Sequence, residues 1–242
     1  MSDTGENPYA PPSAALREQA ARTTPLSFAL DIATTPALVA LTALVWFPLN
    51  LGIEFRAAQL DPDDWRASIQ LANGPNLFAS PLILGAALEA CRLRQAGEEI
   101  RFLALTSAAM RHWRSLFVVE LVAGFLIMLG FAALVVPGIV LALRYSLAAV
   151  VCVREGAGQA AARARSAELA RGRYGTLTLI YLWHLASLVA FVPMIIASAF
   201  GIDWLAQVVP LAIADTVVDL ISLAPIAGFC AIYDEARQQH AP

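Results

Sequence analysis

Four polar side chains lie within long apolar stretches of the chain, where ionisable groups are costly and usually functional. Arg144 interrupts the run VVPGIVLALRYSLAAVVCV, and His184 lies within IYLWHLASLV. Asp215 and Asp219 lie within VVPLAIADTVVDLISLAPIAG, four residues apart, so they share one face of a helix. A guanidinium keeps its proton and therefore needs a partner at this depth. These residues are the candidate intramembrane polar cluster.

Depth in the membrane favours a pair between Arg144 and Asp215. At 1.5 Å per helical residue, Arg144 lies about 9 Å below the outer end of its segment and Asp215 about 15 Å below its own. An arginine side chain bridges that difference, and Asp219 would lie below the pair, protonated or hydrogen-bonded. The alternative is that Arg144 extends to the outer interface and the aspartates line a separate polar patch. A structural clamp is the expected role, and a proton or substrate relay, which His184 would extend, is the alternative.

The composition is that of a membrane protein. Of the 242 residues, 59% are hydrophobic and 14% are charged, with a mean hydropathy of +0.65, against roughly 45–50% and about 25% in an ordinary soluble domain. About 20 helical residues cross the hydrocarbon core of a bilayer. The sequence therefore predicts an all-α integral membrane protein, a six-helix transmembrane bundle. The apolar segments are at about 26–51, 75–93, 115–136, 138–153, 175–200 and 205–232.

The predicted organisation is one membrane domain with short tails. Residues 1–25 are rich in Pro, Ser, Thr and Ala, so they are expected to form a disordered cytoplasmic tail. Residues 26–237 form the six-span membrane domain, and residues 238–242 form a short cytoplasmic tail. The first apolar segment is too long for the core of a removable signal peptide and contains Asp31. It is predicted to be a retained anchor.

The arginines predict the orientation of the bundle. Thirteen of the sixteen lie in the N-terminal tail, the connections 92–114 and 154–173, and the C-terminal end, against Arg56 and Arg66 in the opposite loops. Because basic residues are retained on the cytoplasmic side, we expect six spans in a bacterial inner membrane with both termini cytoplasmic. Acids near the inner span ends then have arginines within reach. The acids are Asp31, Glu89 and Glu120, and the arginines are Arg92, Arg94 and Arg114.

Both long cytoplasmic connections are predicted to be amphipathic helices. In GEEIRFLALTSAAMRHWRSLF, apolar residues recur every three or four positions between arginines, so this helix could lie along anionic headgroups. EGAGQAAARARSAELARGRYG has a weaker apolar face, and Arg163 and Ala167 predict looser docking. Capping the bundle is the expected role of both helices. The alternative is that they bind membrane lipids or a protein partner; nothing indicates nucleic acid.

The sequence carries no motif for catalysis or for metal binding. Cys91, Cys152 and Cys230 are scattered singly, and the three histidines are dispersed. There is no H-E-x-x-H, G-x-S-x-G, phosphate-binding loop or dinucleotide-binding pattern. We therefore expect no metal, no cofactor and no enzymatic activity.

Two blocks of the chain resemble a bacterial membrane-domain family, which in some members is fused to a glycerophosphoryl diester phosphodiesterase. The first block has a Pro-Gly, an apolar run with an embedded arginine, a Glu-Gly, and an alanine-rich helix that ends in Arg-Gly. The second block has a proline followed by Tyr-Asp-x-x-Arg. The matching residues are Pro137, Gly138, Arg144, Glu155, Gly156, Ser166, Leu169, Arg171, Gly172, Pro225, Tyr233, Asp234 and Arg237.

The resemblance implies a stand-alone six-helix module of this family. The catalytic domain of the fused relatives is missing, so their activity is not expected. The implied function is that of a scaffold or accessory module in envelope or lipid handling. The alternative is a small transporter or lipid-translocating protein that uses Arg144, Asp215, Asp219 and His184 as an intramembrane site. An intramembrane enzyme is the least supported class, because no nucleophile and base are visible together.

Overall fold

The computed structural model describes residues 25–60, 65–187 and 204–239, and all of the regular structure in these ranges is α-helical. The predicted N-terminal tail up to residue 24 lies outside the described residues. The helices are α1 (Pro25–Ala33), α2 (Pro36–Ala57), α3 (Trp65–Ala96), α4 (Phe102–Ala133), α5 (Val135–Tyr145), α6 (Ala148–Glu155), α7 (Gln159–Leu169), α8 (Tyr174–Ser187), α9 (Trp204–Ile221) and α10 (Leu223–Gln239).

Five described helical segments are long and apolar enough to cross a membrane. They are Pro36–Ala57, Gly74–Ala96, Phe102–Ala133, Val135–Glu155 and Val208–Gln239. These segments correspond to the first four predicted spans and the sixth. The other predicted span, 175–200, begins as α8, and its residues beyond 187 lie outside the described part of the chain. The molecule is thus an all-helical bundle compatible with a multi-pass membrane protein.

The outer surface of the bundle is strongly apolar. Leu134, Val135, Val136 and Leu179 are 63–70% exposed, and many other large apolar side chains are exposed with them. Such a surface is unusual for a soluble monomer, whereas it is suited to contact with lipid acyl chains. Inside the bundle, α3 packs on α4 and α2 packs on α9. Small residues permit the close approach, since a Cβ added at Gly85 would lie 3.2 Å from the Cα of Ala109.

The hairpin between the third and fourth predicted spans turns earlier than the sequence indicated. The break is at Leu134, whose backbone is extended (φ −167°, ψ 155°), and not between the predicted segments 115–136 and 138–153. Pro137 instead lies in the first turn of α5, where an N–H has no partner within the helix. Gly138 packs face to face with α4, because an added Cβ there would lie 2.4 Å from the ring of Phe131.

The first predicted amphipathic helix is not a separate element. Residues 102–116 form the first half of α4, one continuous helix of 32 residues and about 48 Å. Its buried side, with Leu105, Ala108 and Ala109, packs within the bundle. The predicted boundary rested on charge, but the first glycine or proline of α4 is Gly124, so nothing ends the helix there.

The second predicted amphipathic helix, α7, docks more closely than expected. Ala162, Ser166 and Leu169 are fully buried, and Ala167 is nearly so. The side chain of Arg163 hydrogen-bonds Gln159 on its own helix. The short alanine side chains, which gave a weak apolar face in the sequence, let α7 approach α4, α5 and α6 closely.

The first and last predicted spans each contain two helices. α1 ends before Thr34 and packs against α10, so the first helix of spanning length starts at Pro36. α9 and α10 meet at Ser222, and Pro225 lies in the first turn of α10. A proline there cannot donate the hydrogen bond that would continue α9. α10 continues to Gln239, two residues into the predicted C-terminal tail.

Candidate functional site

The arginine-rich ends of the helices meet at one end of the bundle, which we call the basic end. Arg94 on α3 forms an ion pair with Asp31 on α1, with Nε 2.6 Å from Oδ2. Arg154, in the last turn of α6, donates to Gln95 on α3 at 2.8 Å. The amide of Gln95 donates in turn to Asp234 on α10. These contacts join α1, α3, α6 and α10 at the ends that the sequence assigns to the cytoplasm.

Two of the three acids expected to meet arginines do so. Asp31 is the first, through its ion pair with Arg94. Glu89 is the second, because it accepts two hydrogen bonds from Arg92, at 2.9 Å from Nη2 and 3.1 Å from Nε. Glu120 instead accepts a hydrogen bond from Ser80 at 3.3 Å. Glu120 lies six residues, roughly 9 Å of helix rise, from Arg114, and its hydrogen-bond donor is on α3.

A polar cavity of about 330 Å³ lies between α3, α4, α6 and α10 at the basic end. Four guanidinium groups and two carboxylates line it, so its formal charge is positive. We call it the basic cavity. The charged residues that define it are Arg92, Arg111, Arg154, Arg237, Glu89 and Asp234.

Hydrogen bonds between helices hold the walls of the basic cavity. The hydroxyl of Tyr233, which also lines the cavity, donates to Glu155 Oε1 at 2.9 Å. Glu155 also lies 3.7 Å from Nε of Arg165 on α7. The Nε of Arg154 is buried and has no hydrogen-bond partner within the described residues. The contacts of Tyr233 and Glu155 therefore fix the walls of the basic cavity.

Ser166 closes the break between α5 and α6. Its hydroxyl donates to the carbonyl oxygen of Arg144 at 2.7 Å and accepts from the backbone N–H of Leu147 at 3.1 Å. The chain turns between these residues, which interrupts the helical hydrogen bonds. A buried backbone group without a partner is costly, so a hydroxyl from α7 satisfies both. The embedded arginine of the sequence pattern thus marks a helix break.

The motif glycines after Glu155 and Arg171 have backbone conformations that favour glycine. Gly156 ends α6 with φ 63°, and Gly172 lies in the turn between α7 and α8 with φ 78°. Leu169 is fully buried beside this turn, whereas Arg171 is exposed. These residues therefore shape the connection that carries α7 into the bundle.

The two aspartates of the predicted polar cluster meet α2. Asp219 accepts a hydrogen bond from the amide of Asn50 at 3.0 Å, and that amide lies 3.4 Å from the hydroxyl of Thr216. The carboxyl groups of Asp215 and Glu54 are close neighbours across α2 and α9. We call these five residues the acidic cluster. It contains three carboxyl groups and, among the described residues, no basic partner.

The structure does not bring Arg144 to the aspartates. Within the described residues the guanidinium of Arg144 forms no ion pair with Asp215 or Asp219. Depth along the spans agreed with the predicted pair, but α9 packs against α2 and the aspartates face that helix. His184 lies within α8, and its side chain lies outside the described part of the chain.

Comparison with protein-family models, curated proteins and solved structures finds no match to this chain. Its chemistry is therefore inferred from geometry. The basic cavity can bind an anion, and the acidic cluster can hold a proton between carboxyl groups, since two adjacent carboxylates do not both ionise readily. No set of three or more His, Cys, Asp or Glu within the described ranges is arranged to hold a metal ion.

Sequence reasoning missed the α2 half of the acidic cluster. Asn50 and Glu54 are four residues apart on α2, as Asp215 and Asp219 are on α9. That spacing was the available signal, but the predicted segment ends at residue 51, before Glu54. A single sequence also does not show that α2 and α9 are neighbours.

Proposed function

We propose that this chain is a non-enzymatic multi-pass membrane protein that serves as a scaffold or accessory module in envelope or lipid handling. The observation that supports this most directly is the network of interhelical contacts at the basic end. Asp31–Arg94, Arg154–Gln95–Asp234 and Tyr233–Glu155 link four helices. A rigid end of this kind provides a fixed surface for headgroups or for a protein partner.

We further propose that the chain crosses the inner membrane six times with both termini in the cytoplasm. The gathering of arginines at the basic end supports this orientation, because basic residues are retained on the cytoplasmic side. The resemblance to the membrane domain of glycerophosphoryl diester phosphodiesterases supports a role close to lipids. In this proposal the chain corresponds to the membrane domain of that family, and its function is non-enzymatic.

Cysteine labelling in intact cells tests the orientation. The native cysteines are buried and can be replaced by serine, after which Asp63→Cys or Ala164→Cys introduces a single thiol. We expect an impermeant maleimide to label position 63 from outside and position 164 only after the membrane is permeabilised. Labelling of position 164 alone in intact cells would overturn the proposed orientation.

A second candidate function, a small transporter or lipid-translocating protein, is favoured by the acidic cluster. Three carboxyl groups in an apolar bundle, without a basic partner among the described residues, are typical of an ion or proton pathway. The neutralised variant Glu54→Gln/Asp215→Asn/Asp219→Asn separates the two functions. In a strain that lacks the chain, the scaffold proposal predicts that this variant restores envelope permeability and lipid composition as well as the wild type does.

The transporter alternative predicts that the same variant reaches the membrane at normal levels and restores neither property. A matched control is the double variant Glu99→Gln/Glu235→Gln, whose carboxylates are exposed at the basic end. It should complement fully under both proposals. Loss of complementation with the control would show that any loss of negative charge impairs the protein, and the scaffold proposal would then require a charged partner surface.

A further inference from the structure

We propose that the basic cavity binds a phosphate group. Its four arginines, Arg92, Arg111, Arg154 and Arg237, face only two carboxylates, Glu89 and Asp234, which leaves a formal excess of two positive charges. A phosphate monoester carries about −1.5 to −2 charges near neutral pH. The charge of such a group therefore matches the excess in the cavity.

The carboxylates that line the cavity already have partners. Glu89 accepts two hydrogen bonds from Arg92, and Asp234 accepts one from Gln95. Within the described residues, Arg111 and Arg237 form no ion pair. Their planar groups, with several donors in a fixed fork, are the geometry that binds phosphate oxygens bidentately.

Arg154 also lines the cavity, and one of its terminal nitrogens donates to the neutral amide of Gln95. Among the described residues its guanidinium forms no ion pair with a carboxylate. Its positive charge therefore adds to the excess that a phosphate group would balance.

The size and position of the cavity favour a small phosphorylated group over a whole lipid. Its volume of about 330 Å³ is near the lower limit for small-molecule pockets, roughly 300 Å³. The cavity is open, because the side chain of Arg92 is 44% exposed and Arg111 and Arg237 are exposed. Both a lipid headgroup and a free phosphate could therefore enter. The site goes beyond the proposed scaffold function, since the cavity defines it whether or not the chain acts as a scaffold.

Binding to the purified full-length chain in neutral detergent tests the proposal. Inorganic phosphate is titrated at constant ionic strength against chloride, and both the heat of binding and the thermal unfolding midpoint are measured. We expect phosphate, but not chloride, to raise the midpoint. Arg111→Gln and Arg237→Gln should each weaken binding by about tenfold or more, because hydrogen bonds to charged groups are the strong ones.

Arg114→Gln is the matched control, because Arg114 is exposed on α4, three residues from Arg111, and does not line the cavity. It should bind phosphate as the wild type does. Equal weakening in the control would overturn the site, because the effect would then be one of total charge. If a cavity variant fails to fold, the measurement on the wild type decides. A thermal unfolding midpoint that responds equally to phosphate and to chloride would refute the proposal.

Nanodiscs distinguish the two sources of the phosphate group. The chain is reconstituted in phosphatidylcholine with or without phosphatidic acid, and retained lipid is measured by native mass spectrometry. Retention of phosphatidic acid that inorganic phosphate displaces supports a headgroup site. Phosphate binding without lipid retention supports a soluble phosphate compound. Retention that is unchanged in Arg111→Gln and Arg237→Gln would show that lipid binds elsewhere and would refute the headgroup source.

Discussion

The basic end and the acidic cluster hold their charged groups in opposite ways. At the basic end, carboxylates meet guanidinium groups across helices, as Asp31 meets Arg94 and Glu155 meets Arg165. In the acidic cluster, Asp219 meets an amide and Asp215 meets another carboxyl group. Aspartate and glutamate side chains thus lie in two different electrostatic environments within one bundle.

The difference follows from where the arginines lie along the chain. They are concentrated in the connections at the basic end, where long side chains reach the acids at helix ends. α9 contains no arginine, and the one arginine of α2, Arg56, donates to Gln59. The described acids between these two helices therefore meet an amide, a hydroxyl or another carboxyl group. The charged carboxylates of the basic end should therefore stabilise the fold. The carboxylates of the acidic cluster should add little to the free energy of unfolding while they are charged.

The largest expected effect is at Ser166 on α7, whose hydroxyl makes two hydrogen bonds to neutral backbone groups, in contrast to the charged pairs of the basic end. Ser166→Ala removes the hydroxyl that bonds Arg144 and Leu147, so the buried N–H of Leu147 and the partly buried carbonyl oxygen of Arg144 lose this partner. Each such group costs about 1–3 kcal/mol, so we expect a loss of about 2–4 kcal/mol in the free energy of unfolding. Unfolding in mixed detergent micelles measures it.

Ser107→Ala is the control for this change. Its hydroxyl is exposed and bonds only the carbonyl oxygen of Ala104 on its own helix, so the expected loss is within about 0.5 kcal/mol. If Ser166→Ala cost no more than Ser107→Ala, the α5–α6 break would not depend on α7.

A smaller loss is expected when an acid at the basic end is neutralised. Glu89→Gln removes a buried carboxylate from Arg92, whose side chain is 44% exposed and can turn to water. The exposure limits the loss to about 1–2 kcal/mol, between the values for surface and buried ion pairs. Glu99→Gln, in a pair exposed on both sides with Arg101, should change the unfolding free energy by less than about 0.5 kcal/mol. If Glu89→Gln and Glu99→Gln changed the free energy of unfolding equally, burial would not distinguish the ion pairs of the basic end.

The sequence predicted one side of this comparison better than the other. The apolar segments indicated the helices, because these depend on hydropathy. Glu89 and Arg92 are three residues apart on one helix, and Asp31 and Arg94 lie at span ends that the sorting of arginines assigns to the same side. The acidic cluster depends on α2 lying beside α9, which nothing local encodes. The same limit produced the predicted pair of Arg144 with Asp215, since comparable depth in the membrane does not make two helices neighbours.

Helix ends were predicted only where the chain contains a strong local signal. The glycine after Glu155 ends α6 as the pattern indicates. The α4–α5 turn is at Leu134, which has no such signal, and α4 continues through the predicted boundary near Arg114. The packing of α5 against α4 at Gly130 and Gly138 fixes that turn, and such packing is a tertiary contact.

Neutralising an acid of the acidic cluster should have the opposite sign to Glu89→Gln. In Asp219→Asn the side-chain oxygen can still accept from Asn50, and a charge without a basic partner among the described residues is removed. We expect no loss and a gain of up to about 1 kcal/mol in unfolding free energy. The same micelle measurement at neutral pH tests it. A loss as large as that of Glu89→Gln would show that the cluster requires its charge, and the comparison between the two regions would fail.

The smallest effect is expected at Arg144, the arginine within the fourth predicted span. Arg144→Leu keeps the carbonyl oxygen that Ser166 binds, and no described residue loses an ion pair. The change in unfolding free energy should be within about 0.5 kcal/mol. Arg94→Leu, the same substitution at the basic end, deprives Asp31 of its partner across two half-exposed side chains and should cost up to about 1 kcal/mol. If Arg144→Leu cost more than Arg94→Leu, the intramembrane clamp expected from the sequence would be restored, and charge pairing would no longer be confined to the basic end.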